Sequence, residues 1–122
     1  MKNSFSFLIL FTLSLFMFSC SDDSETNIDV KEPSDSFTLS ASDSFDLVLE
    51  LSDTDGITRI SIIVDELDII IEEEYDSSPL TVDYSTNILI PEDAAKAEYE
   101  LHISVEDAAR NGVSKILDFT IE

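Results

Sequence analysis

The sequence predicts an all-β fold, an antiparallel sandwich of seven to eight strands, and three observations carry that expectation. Apolar residues recur at every second position through most of the chain beyond residue 37, the period of strands that rest one face on a core. Turn chemistry punctuates those runs at Asp53-Thr54-Asp55-Gly56, Asp76-Ser77-Ser78-Pro79 and Asn111-Gly112. Helical character is confined to a hint at Ala94 to Ala97, where Pro91 followed by Glu92 and Asp93 suits a helix start.

Taken in chain order, the first element is a leader. Lys2 is followed by the uncharged run Phe5 to Phe18, which is 14 residues long. A spanning helix needs about 20 apolar residues, so a run this short after one lysine reads as the core of a signal peptide over residues 1–19. Cys20 is the only cysteine, and Met17-Phe18-Ser19-Cys20 resembles the lipobox of bacterial lipoproteins. That resemblance implies cleavage before Cys20, lipidation of its thiol and anchoring in the outer membrane, the acyl chains contributing ~0.8 kcal/mol per buried methylene. Ser21-Asp22-Asp23, directly after it, resembles the acidic export signal of surface lipoproteins, and the resemblance implies display at the cell surface. Cleavage leaves 103 of the 122 residues and no cysteine for a disulfide, a metal thiolate or a thiol nucleophile.

Residues 20–36 are expected to be a lipidated, acidic, flexible tether. Ser21 to Ser36 is rich in Ser, Asp, Glu, Thr and Asn and has no aromatic residue, a composition that buries little apolar area. A flexible tether of this length spans roughly 20–25 Å.

Residues 37–122 are expected to form the domain. Phe45, Leu47, Leu49 and Leu51 alternate with Asp46, Val48, Glu50 and Ser52. The same period runs through Ile60, Ile62 and Val64, through Tyr99, Leu101, Ile103 and Val105, and through Leu117, Phe119 and Ile121. Leu67 to Ile71 and Leu80 to Ile90 supply two or three further short strands. Short strands at this density, with a turn signal between most of them, indicate an immunoglobulin-like sandwich.

Leu51-Ser52-Asp53-Thr54-Asp55-Gly56-Ile57 before Ile60-Ser61-Ile62 is similar to the turn between the second and third strands of bacterial immunoglobulin-like and cadherin-like modules. Ile90 to Ala94, Tyr99-Glu100-Leu101 and Val105 to Ala109 resemble the later crossing and the strand that follows it in those modules. Lys96-Ala97 departs from the family, which carries a glycine before the tyrosine, and Arg110-Asn111-Gly112 replaces its Gly-Asn loop. The resemblance implies a surface lipoprotein carrying one such module. Tyr99 is then a tyrosine corner or a plain core aromatic, structural in either case.

Charge narrows the function classes. The 27 acidic residues face five basic ones outside the leader, Lys31, Arg59, Lys96, Arg110 and Lys115, a balance of −22. No basic footprint for nucleic acid exists, and an anionic membrane surface repels the domain, so attachment rests on the lipid. His102 is the only histidine and falls on an outward strand position, with no orienting partner evident. The chain is therefore expected not to be an enzyme, a small hydrolase being the remote alternative.

Two function classes remain. One is a non-catalytic accessory binding or adhesion module with a protein or glycan ligand, marked by an exposed apolar patch; Val48, Ile63 and Ile70 are the outward residues that would form it. The other is a structural lipoprotein with a calcium-stabilised sandwich. The loops after the second and sixth principal strands lie at one end of such a fold, which would gather Asp53, Asp55, Asp107 and Asn111 as oxygen ligands for calcium. The same residues are also ordinary turn formers.

Overall fold

The computed structural model describes residues 25–34 and 36–122. Cys20, Ser21, Asp22 and Asp23 lie outside the described residues, as does the leader. Eight strands follow one another: β1 (Thr26–Glu32), β2 (Phe37–Leu39), β3 (Ser44–Asp53), β4 (Ile57–Val64), β5 (Ile69–Glu74), β6 (Thr81–Leu89), β7 (Ala97–Asp107) and β8 (Gly112–Ile121). They form two sheets, one ordered β1-β3-β6 and the other β2-β8-β7-β4-β5. The immunoglobulin-like β-sandwich is thus the fold. All pairings are antiparallel except that of the short β2, which runs parallel to β8.

The two sheets meet through the inward positions of the alternating strands. Leu47, Leu49 and Leu51 of β3 face Ile60, Ile62 and Val64 of β4 and Leu101, Ile103 and Val105 of β7, and all are buried. At the base of the sandwich Phe37, Phe45, Tyr99 and Phe119 form an aromatic cluster, with ring centroids 4.8 Å apart for Phe37–Phe45 and 5.5 Å for Tyr99–Phe119. Tyr99 is a tyrosine corner: its hydroxyl donates to the Ala95 carbonyl at 2.7 Å while its ring stays in the core.

Two sequence expectations are corrected. The tether does not extend through residue 36, because Thr26–Glu32 is the first strand of the sandwich, paired with β3 from Thr26↔Asp53 onward. Ile28 and Val30 alternate with Asn27, Asp29 and Lys31, a period-two signal overridden by the polar composition around it. Ile28 is 8% exposed and belongs to the core. The domain therefore begins near residue 26 rather than 37. The helical turn anticipated at Ala94–Ala97 is instead a tight turn closed by the Ala94 amide donating to the Pro91 carbonyl at 3.2 Å. The one helical turn among the described residues is a 3-10 turn at Asp65–Leu67, ended by Asp68 in the left-handed region at φ 55°.

Candidate metal centre

The apex opposite the aromatic cluster is built by two inward rows that end in acids. On β3 the buried row Leu47, Leu49, Leu51 continues to Asp53, and on β7 the row Leu101, Ile103, Val105 continues to Asp107. The two strands belong to different sheets, so the period that builds the core also delivers one carboxylate from each sheet to its end. Asp53 is 3% exposed and Asp107 1% exposed. Asp55, on the turn between β3 and β4, is the exposed third member, and ligand oxygens of all three lie within 4.8 Å of one another.

The loops are held by their own hydrogen bonds. The Asp55 amide donates to Asp53 Oδ1 at 2.7 Å, and the Asn111 amide donates to Asp107 Oδ1 at 2.8 Å. Thr26 Oγ1, at the start of β1, donates to Asp53 Oδ2. The Ala108 amide donates to the Gly56 carbonyl at 2.9 Å and joins the two loops directly. Gly56 sits at φ +95°, and a Cβ there would fall 2.3 Å from the Ser78 carbonyl oxygen, so the neighbouring turn requires glycine.

One atom is left over. Asp107 Oδ2 is buried with no hydrogen-bond partner among the described residues. A desolvated carboxylate oxygen without a partner is costly, and here it stands near two further carboxylates that repel it. A cation removes both penalties. Calcium takes six to eight oxygens at ~2.3–2.6 Å, so oxygens sharing one ion lie at most about 5 Å apart, which this cluster satisfies. The donor set is carboxylate throughout, with neither His nor Cys, the chemistry of a hard cation. Asp55 faces solvent, leaving room for water to complete the shell.

Asp53, Asp55 and Asp107 are therefore brought together as the sequence reading expected. Asn111 joins them through its backbone, its carbonyl also accepting from the Asp107 amide at 3.0 Å. Thr26 was missed because its segment read as tether. Glu25 closes the same corner: its amide donates to Thr54 Oγ1 at 3.3 Å and its carbonyl accepts from the Thr54 amide at 3.3 Å. The described chain thus starts at the apex, while Glu122 leaves from the base, its amide bonded to the Leu39 carbonyl at 2.9 Å.

His102 lies far from this cluster, on the outer face of β7 between Ile63 and Ile116, with its Nε2 3.3 Å from Glu100 Oε1. The nearest hydroxyl row on that face is Ser61, Ser104 and Ser114, and Ser104 pairs with Ser114 at 3.2 Å rather than with the imidazole.

No family model matches the chain, and no curated protein matches it. Among solved structures it is similar to the fibronectin(III)-like modules of Clostridium thermocellum CbhA, with a TM-score of 0.57 and 10% identity over 78% of this chain and 94% of that one. It is also similar to a Niemann-Pick type C2 protein from the Japanese carpenter ant, with a TM-score of 0.51 and 9% identity over 84% of this chain and 96% of that one. At such identities the likeness is one of fold, that of β-sandwich domains.

Proposed function

We propose that this chain is a lipid-anchored, non-catalytic module of the bacterial outer-membrane surface whose sandwich is stabilised by calcium at its apex. The observation that carries the calcium reading is the buried, unpartnered Asp107 Oδ2 beside Asp53 and Asp55. The lipoprotein-like Met17-Phe18-Ser19-Cys20 supports the anchor. The start of β1 at the apex supports an arrangement in which anchor and ion site share one end of the molecule. Against catalysis stand a His102 paired with Glu100 rather than with a hydroxyl among the described residues and an acidic cluster that contains neither His nor Cys.

The ion would tie the end of β3 in one sheet, and the turn that follows it, to the β7–β8 loop of the other sheet, offsetting repulsion that otherwise pushes them apart. Extracellular calcium modules bind at roughly 10⁻⁴–10⁻³ M. At ten times the dissociation constant the stabilisation is about 1.4 kcal/mol, a shift of roughly 5–10 °C in Tm for a domain of this size. Melting curves in millimolar calcium chloride, against sodium chloride at matched ionic strength, test this. Calcium is expected to raise Tm well beyond sodium, and Asp55→Asn with Asp107→Asn to erase the difference. Equal stabilisation by both salts would mean screening only and would overturn the assignment.

A further inference from the structure

The outer face of the five-stranded sheet carries a feature that the apex does not explain. Register places Ile70 opposite Ile63, Ile63 opposite His102, and His102 opposite Ile116, so these four side chains form one row across β5, β4, β7 and β8. Ile70 is 66% and Ile116 48% exposed. At ~4.8 Å between neighbouring strands the row is about 14 Å long. An outward sheet face normally carries polar residues, whereas here three isoleucines share one register row, Ile70 beside Ile63 and Ile116 across His102, rather than being scattered singly.

The flanks of the row differ. Toward the apex the next register row is Glu72, Ser61, Ser104 and Ser114, low and uncharged over three strands. Toward the base the next row holds Glu100 opposite Asp118, and there the surface sinks into an open concavity walled by Glu66, Glu98, Glu100 and Asp118. Of these four, Glu100 alone is within ion-pair distance of a basic group among the described residues, namely His102. The face therefore presents an apolar ridge alongside an acid-lined trough.

We propose that this face is a docking surface for a basic, amphipathic helical segment of a partner protein. The helix would lie across the strands, its apolar side chains on the Ile70–Ile63–His102–Ile116 row and its lysines or arginines over the trough. The spacing fits, since residues three and four apart rise about 4.5 and 6 Å along a helix and straddle the interstrand distance. The charge selects the occupant. A second copy would set acid against acid across the contact, and anionic lipid would be repelled likewise, whereas a basic segment gains both steering and complementarity.

The test uses the full lipidated chain in phosphatidylcholine nanodiscs, with empty discs subtracted, and fluorescently labelled Leu/Lys peptides as probes. One peptide places its leucines at i, i+3, i+4 and i+7. The other has the same composition in scrambled order. Fluorescence anisotropy is expected to show binding of the amphipathic peptide and little of the scrambled one. Ile70→Ser with Ile116→Ser should weaken that binding about tenfold or more, as two apolar anchors leave the contact. Leu89→Ser, which removes an equally exposed residue on the other sheet, should not. All three substituted side chains point away from the core, and unchanged circular dichroism confirms the comparison. Equal binding of both peptides, indifference to the row substitutions, or equal sensitivity to Leu89→Ser would overturn the proposal. So would self-association in sedimentation that the row substitutions abolish, because the face would then belong to a second copy.

Discussion

At the residue scale, three positions concentrate specific roles. Tyr99 combines a core ring with a hydroxyl bonded to the Ala95 carbonyl. Tyr99→Phe removes the hydrogen bond and leaves the ring, so a loss of about 1 kcal/mol is expected. Leu101→Ala, two positions along the same inward row and fully buried, should cost about 2–5 kcal/mol through lost burial and the cavity left behind. Equilibrium urea denaturation of both variants checks the ordering, and a Tyr99→Phe loss as large as that of Leu101→Ala would make the hydroxyl more than a corner bond. Gly56 is the third position. Its positive φ and the Ser78 carbonyl against it leave no room for a methyl, so Gly56→Ala should destabilise the domain by more than ~1 kcal/mol, and the same denaturation series measures it.

At the element scale, β1 is where composition and pattern disagree. Its seven residues carry two acids, a lysine and two small polar groups around Ile28 and Val30. Averaged over the segment, that is the chemistry of a linker; read at period two, it is an edge strand. The strand is held by its ladder to β3, by Ile28 in the core and by Lys31, whose ammonium is raised above its usual range by the Asp29 hydrogen bond and then by the charges of Asp29 and Glu50. Hydrogen exchange is the direct check: amides of Thr26–Glu32 bonded to β3 should be protected well beyond free-chain rates, whereas a tether would exchange at once. The central strands were legible because alternation and burial agree along their whole length, as in Leu47–Leu51 and Leu101–Val105. The three aspartates at the apex were legible for a related reason: turn chemistry marked Asp53 and Asp55, and the fold's loop geometry placed Asp107 beside them. The inward register of Asp53 and Asp107, their burial and the link to Thr26 were not, since they depend on which residue of each strand is the last to face the core. The outer row was half visible: Ile63 and Ile70 stood out as outward apolar residues, but only the register across four strands aligns them with His102 and Ile116.

At the scale of the whole molecule, the sandwich is polar at one end and aromatic at the other, and β1 begins at the polar end. β7 has 11 residues, so the long axis is about 36 Å. Six peptide steps separate Cys20 from Thr26, a reach of at most roughly 20 Å. If Cys20 carries the lipid, the Asp53–Asp55–Asp107 apex stands close to the bilayer and the Pro91–Lys96 turn stands far from it. Calcium would then bind in the layer next to the headgroups, and the outer sheet face would be presented sideways, parallel to the axis and free of the membrane. In nanodiscs doped with a paramagnetic headgroup lipid, amide signals of Thr54, Gly56 and Ala108 should broaden more than those of Glu92, Asp93 and Glu122. Cys20→Ala should abolish that gradient together with membrane recovery and incorporation of labelled fatty acid, because no helix among the described residues is long and apolar enough to cross a membrane and the acidic surface gives no electrostatic hold on anionic lipid. Broadening that is uniform along the axis would separate anchor from apex, and a Cys20→Ala chain that keeps both label and membrane recovery would remove the anchor assignment itself.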